Sequence, residues 1–206
     1  ARRRRRGVFF WWGGRRWGRA HHVEGGPCGR PRGTGAVPHT YSEYPGGRPA
    51  DPDLSKDTNR FIDIPITPLF PFGHGLTYSS FEYGDLIAII DADEFTLSIK
   101  VTNSGDVDSD EVIQLYMRDP FATIARPKRE LRGFKRVHIP AGESRTVSFT
   151  LTPDQMAYYT ARDGWIVEPG KIEFMVGASA DDIRARAEVI IDQAYHTNVP
   201  ASAIAT

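Results

Sequence analysis

A single cysteine, Cys28, stands in a chain of 206 residues. One thiol closes no disulfide within the chain and offers at most one ligand to a metal, so neither a disulfide-stapled scaffold nor a cysteine-based zinc site is open to it. Cysteine usage therefore says nothing about redox compartment. Long apolar runs are also missing. Residues 7–14 hold only a few aromatics between arginine clusters, far short of the ~18 apolar residues of a membrane-spanning helix, and the expectation is a protein without a membrane role. Net charge is zero, with 26 Lys and Arg against 26 Asp and Glu. At 40% apolar and 25% charged residues the composition is that of a globular protein with a hydrophobic core, and collagen-like, coiled-coil and wholly disordered classes are excluded.

The zero is a cancellation. Residues 1–36 carry ten Arg and one acid, Glu24, a net of +9, and the remaining 170 residues are correspondingly −9. Three of the four Trp (Trp11, Trp12, Trp17) and Cys28 share the basic end. Its Arg run and Val8–Trp12 imitate the start of a secretory signal, but the apolar part is shorter than the roughly 7–15 residues such a signal needs, and Arg15 and Arg16 follow at once. The segment reads as a missing start rather than a signal. Charge with interleaved aromatics could contact RNA. The same narrow composition also arises when GC-rich DNA is translated out of frame, and that reading is preferred. Residues 1–34 are expected to be disordered or frame-shifted, and no nucleic-acid partner is assigned.

Residues 35–75 are punctuated by proline and glycine, which removes backbone donors and predicts an irregular connector that wraps a neighbour. From about Tyr78 the pattern becomes short alternating runs between turns. Phe95, Leu97, Ile99 and Val101 alternate up to the turn cluster Asn103-Ser104-Gly105-Asp106. Ile113, Leu115 and Met117 follow, then a run from Leu131 and Phe134 toward Ile139, then Val147, Phe149 and Leu151. Ile172, Phe174 and Val176 come next, and Ala185, Ala187, Val189 and Ile191 close the series. With an opening strand near residues 81–89 this gives about seven strands, the pattern of an antiparallel β-sandwich. Residues 153–159 offer the one short helical turn.

Several stretches carry a family resemblance. PLFPFGHGLTY (residues 68–78) resembles the junction of glycoside hydrolase family 3, the β-glucosidases and β-xylosidases, where the second domain leads into a C-terminal fibronectin type III-like domain. The likeness continues through VTNSGDVDSDEVIQLYMRDP (101–120), RPKRELRGFKRVHIPAGESRTVSFTL (126–151) and WIVEPGKIEFMVGAS (165–179), in order and spacing. Upstream, GAVPHTYSEYPGGRP (35–49) is similar to a further family stretch, with Ser42 and Glu43 where Asn and His are usual. Pro31-Arg32 sits where the family has a Pro-Arg pair, so normal register resumes near there.

The resemblance implies an all-β fold, a fibronectin type III/immunoglobulin-like antiparallel sandwich of about seven strands behind an irregular N-terminal extension. It divides the chain into the anomalous segment 1–34, a junction 35–75 left from a preceding α/β sandwich, the domain 76–192 and a tail 193–206. Residues 68–78 are expected to dock at the base of the sandwich, with Phe70 and Phe72 reaching its core, while residues 35–60 fray. In this family the nucleophilic Asp and the acid/base Glu lie in upstream regions. A retaining mechanism needs two carboxyl groups about 5–5.5 Å apart, and no such pair is identified. No catalytic residue, cofactor site or metal site is therefore assigned.

Asp106, Asp108 and Asp110 have the alternate spacing of a calcium loop, but Glu111 and Met117 fall where Gly and Glu are required, so a solvated turn is expected. His21, His22 and Cys28 lack an ordered scaffold and a fourth ligand. Trp165 and the pair Tyr158-Tyr159 could stack on sugars, yet packing is the commoner use of such aromatics. His74, between two glycines, reads as a packed turn residue rather than a proton shuttle. The basic run 125–136 (Arg126, Lys128, Arg129, Arg132, Lys135, Arg136) is broken by Glu130, Leu131 and Phe134, and reads as a solvated strand edge rather than a phosphate stripe.

The function implied is the C-terminal portion of a β-glucosidase-type enzyme that hydrolyses O-glycosyl bonds without a cofactor. Its partners are the upstream catalytic domains, and it meets β-glycosides only through them, so the fragment alone is expected to be inactive. The resemblance favours a periplasmic or secreted location. The alternative is a stand-alone carbohydrate- or protein-binding module, which would have no use for a long proline-rich connector.

Overall fold

The computed structural model describes residues 67–91 and 93–198, together with one short backbone pairing further upstream. In the latter, β1 (Cys28–Gly29) runs antiparallel to β2 (His39–Thr40). The remaining expectations for residues 1–34 and 35–66, and for the end of the tail, lie outside the described residues.

Alternation of apolar and polar side chains makes each strand two-faced, and two such sheets bury their apolar faces against one another. The first sheet has the order β3-β4-β7, from β3 (Phe81–Asp91), β4 (Glu94–Asn103) and β7 (Ser144–Leu151). The second has the order β11-β10-β5-β6, from β5 (Ser109–Arg118), β6 (Glu130–Ile139), β10 (Gly170–Gly177) and β11 (Ile183–Ile191). All pairings are antiparallel. These are the seven strands expected from the sequence, and their facing side chains form one core. Phe95, Leu97, Ile99, Ile113, Leu115, Phe149, Leu151, Phe174 and Val176 lie buried within it.

The helical turn is realised as α1 (Pro153–Met156), where Pro153 occupies the first helical turn and the Thr152 amide donates to Gln155 Oε1 at 3.0 Å. A small third sheet, order β12-β9-β8, joins β8 (Tyr158–Thr160), β9 (Gly164–Val167) and β12 (Tyr195–Thr197). The strand β12 falls in the stretch read as tail, so paired structure continues through Thr197.

The docking expected for the junction needs correction. Phe72 does not enter between the sheets. It packs on the outer face of the four-stranded sheet, with Leu131 and Ile183, against the buried Tyr116, Met175 and Ala180. Phe70 remains 42% exposed, with its ring 5.1 Å from that of His74. The space between the sheets is already filled by their own side chains, so an aromatic arriving from outside finds its apolar surface on the reverse side.

Candidate functional site

The junction is held to the second sheet by polar groups that face outward from it. Gln114 Nε2 donates to Gly73 O at 3.0 Å and to Ala178 O at 2.6 Å, while its Oε1 accepts from the Tyr116 hydroxyl at 2.6 Å. The Ala180 amide donates to Phe72 O at 2.9 Å. Gly73 adopts φ 77°, and an added Cβ would lie 2.1 Å from Gln114 Oε1, so glycine permits both the turn and the close approach. Further along, Asn103 is wholly buried and fully used. Its Nδ2 donates to Val107 O and Ile139 O, each at 2.9 Å, and its Oδ1 accepts from Ser79 Oγ and the Gly105 amide. Asn103 thus ties the end of the junction to the β4–β5 and β6–β7 turns.

A second organised region is the loop 119–128 between β5 and β6, which rests on the small third sheet. The Thr123 amide and hydroxyl donate to the two carboxylate oxygens of Glu168, at 2.9 and 2.5 Å. Burial alone would raise Glu168, but these bonds and the Tyr158 hydroxyl hold its carboxyl below the usual range. The Arg126 guanidinium lies 4.5 Å over the Tyr158 ring and bonds Glu130 at 2.5 Å, and Arg132 meets the same carboxylate. Burial pushes the Tyr158 hydroxyl well above the ordinary range. The strand edge expected for the basic run is present, since β6 closes the four-stranded sheet, but the run is not solvated throughout. Arg126 is 8% exposed, Arg129 pairs with Asp181 at 3.0 Å, and Arg136 pairs with Asp110. The Lys135 ammonium lies 5.7 Å over the Phe149 ring.

The other candidates resolve residue by residue. Asp108 caps the Ala141 amide at 2.9 Å, whereas Asp110 turns to Arg136 and His138, so their carboxylates serve different partners. Among the described residues no group of three or more His, Cys, Asp or Glu side chains is placed to hold a metal. Nothing is described for His21 or His22, and for Cys28 only its backbone pairing. The His74 amide closes a turn onto Pro71 O at 3.1 Å. Trp165 packs against the main core and meets Tyr159 edge-on at 5.8 Å, which leaves Tyr159 59% exposed but offers no flat paired platform. Glu111 is the buried carboxylate among the described residues, and it bonds the Tyr83 hydroxyl.

A two-sheet sandwich with three strands facing four, and an N-terminal segment fastened across the larger sheet, is a domain of the fibronectin type III-like class. A family model for the fibronectin type III-like domain matches residues 111–180. A β-xylosidase of Formosa agariphila is 43% identical over 160 residues, 75% of this chain and 21% of its own length. A periplasmic β-glucosidase of Salmonella typhimurium is 33% identical over 163 residues, 77% of this chain and 21% of its own. The crystal structure of a β-glucosidase from Listeria innocua with glucose superposes with TM-score 0.72 at 32% identity, covering 81% of this chain and 24% of that one. The chain carries a fibronectin type III-like domain, and over most of its length it is similar to part of these glycosidases, in line with the resemblance to glycoside hydrolase family 3 read from its sequence. It spans about a fifth of the length of these curated relatives.

Proposed function

We propose that this chain is the C-terminal part of a β-glucosidase-type glycosidase, and that its domain braces catalytic domains lying upstream without supplying catalytic residues. The observation that carries this reading is the junction. Phe72 and Gly73 are seated on the outer face of the larger sheet by Ala180 and Gln114, and Ser79 is tied to Asn103 at the end of β4, an attachment that supports a defined approach for a preceding domain. On this reading residues 35–75 belong to the end of that preceding domain, and the catalytic, cofactor-binding and metal-binding groups lie outside the domain. The purified chain should not turn over an aryl β-glucoside. Spliced into the Listeria innocua β-glucosidase in place of the region it matches, it should give a folded, active chimera. Turnover by the chain alone, abolished by substitution of one of its carboxylates, would contradict the proposal.

A further inference from the structure

Arg184 stands outside the regular strand ladder. Between β10 and β11 the pairing passes from Val176 with Ala185 to Gly177 with Ile183, so Arg184 is an extra residue in β11 with none opposite it. A bulge of this kind re-aims a side chain, and here it sends the guanidinium out of its own sheet toward the other one. Arg184 Nη1 donates to Phe81 O at 3.0 Å, at the start of β3, and the guanidinium lies 4.8 Å over the Tyr83 ring. The β3–β4 register also shifts directly after Tyr83, so two irregular strands meet at this contact. In the other direction Arg184 Nε and Nη2 donate to the Asp182 carboxylate at 2.8 to 3.2 Å, within the return 178–182. A guanidinium carries several donors in one plane, which lets a single side chain hold a carboxylate and a carbonyl at once.

The same return grips the junction. The Ala180 amide donates to Phe72 O at 2.9 Å, and Gln114 Nε2 is shared by Gly73 O and Ala178 O. The return is closed on itself by the Ala178 amide on Asp182 O and by the Asp182 amide on Ser179 Oγ, so a shift of Asp182 moves the atoms that hold Phe72. At its far end the junction passes Ser80, whose carbonyl accepts from the Ser104 amide at 2.9 Å, and enters β3 at Phe81. Arg184 thus bridges the two ends of residues 72–81. We infer that Arg184 is a latch: by tying Asp182 to Phe81 O it makes the strap 72–81 open and close as one cooperative unit, rather than as two independent contacts, one on each sheet. The latch lies wholly within the domain, so it acts in the same way whatever precedes the strap.

Native-state hydrogen exchange of the chain across a series of low urea concentrations provides the test. The Ala180 amide, held by Phe72 O, and the Ser104 amide, held by Ser80 O, should share one opening equilibrium and one urea dependence. Both should open before Leu97 and Phe174, which lie in the central strands of the two sheets. Arg184→Met keeps an apolar stem over Tyr83 and removes the donors. It should speed exchange at Ala180 and Ser104 by a common factor of about tenfold and leave Leu97 and Phe174 unchanged. Arg184→Lys, which keeps the charge but not the planar fork, should fall between the two. Different opening equilibria for Ala180 and Ser104 in the parent chain overturn the latch, and that measurement needs no variant to fold. A change in Arg184→Met at Ala180 alone, at neither amide, or at Leu97 and Phe174 to the same extent overturns it as well.

Discussion

The Tyr83 hydroxyl donates to Glu111 Oε1 at 2.8 Å, and this bond crosses from β3 in one sheet to β5 in the other. The Arg184 guanidinium, on β11, lies 4.8 Å over the Tyr83 ring and reaches back to Phe81 O and to Asp182. A polar link of this kind joins the two sheets directly at the edge of the main core. It also places a carboxyl group where water is scarce. Burial raises the Glu111 carboxyl above its ordinary range, opposed by the bond from Tyr83 and the charge of Arg184.

A folded-state value above the unfolded one means that the native state holds the proton longer. Glu111 therefore adds stability below its unfolded value and loses that contribution as pH rises through the folded value. Glu111→Gln keeps an oxygen for Tyr83 and removes the buried charge. Its thermal midpoint should equal that of the parent near pH 4, and should exceed it by a growing margin as pH rises to 7. A variant that is less stable at pH 7 than at pH 4, relative to the parent, would show that the charge of Glu111 is favourable in place.

Asn103 makes a contrasting case, because both ends of its amide are used and no charge is present. Asn103→Ala strands two carbonyls and an amide, and should destabilise by on the order of 3 kcal/mol in urea denaturation, since each buried orphan costs about 1–3 kcal/mol. Asn103→Asp keeps the shape but loses the donors to Val107 O and Ile139 O and adds a buried anion. It should be worse than Ala at pH 7 and recover part of the loss in acid, where protonation restores one donor. Equal stability of the aspartate variant at both pH values would mean that water reaches this site.

The strands were legible because their signal is local. Phe95, Leu97, Ile99 and Val101 are two residues apart, and period two is itself the geometry of a strand with one buried face. The short β8 and β12 carry three residues each, too few for alternation to register. In β6 the pairing slips around Arg132, so the basic run shows no clean period, and the burial of Arg126 depends on Tyr158, 32 positions away in the sequence. The fastening of the junction was illegible for the same reason. Gln114 reaches 41 residues back to Gly73 and 64 forward to Ala178, and nothing adjacent to a glutamine in sequence announces such partners. Phe72 was expected in the core and lies instead on the outer face, because its apolar character was legible but the pattern could not say which face of the sheet it would meet.

The return at the end of β10 gives the last test. The register shifts between Val176 and Gly177, and residues 178–182 fold back so that the Ala178 amide bonds Asp182 O at 3.0 Å. A Cβ on Gly177 would sit 2.0 Å from that same Asp182 oxygen and 2.8 Å from Ile183 Cα, and both are backbone atoms that cannot swing aside. Gly177→Ala should therefore open the return and loosen Ala180, whose amide holds Phe72 O, with a loss of more than the 1–3 kcal/mol usual for overpacking. Gly75, in the junction, is the matched control. Nothing lies within 4 Å of its notional Cβ, so Gly75→Ala should be neutral or should stabilise by about 0.4–1 kcal/mol through the unfolded state. Urea midpoints of the two variants should fall on opposite sides of the parent or nearly so. If Gly177→Ala matches Gly75→Ala, the return is not closed against β10, and the seat of Phe72 on the outer face loses its support.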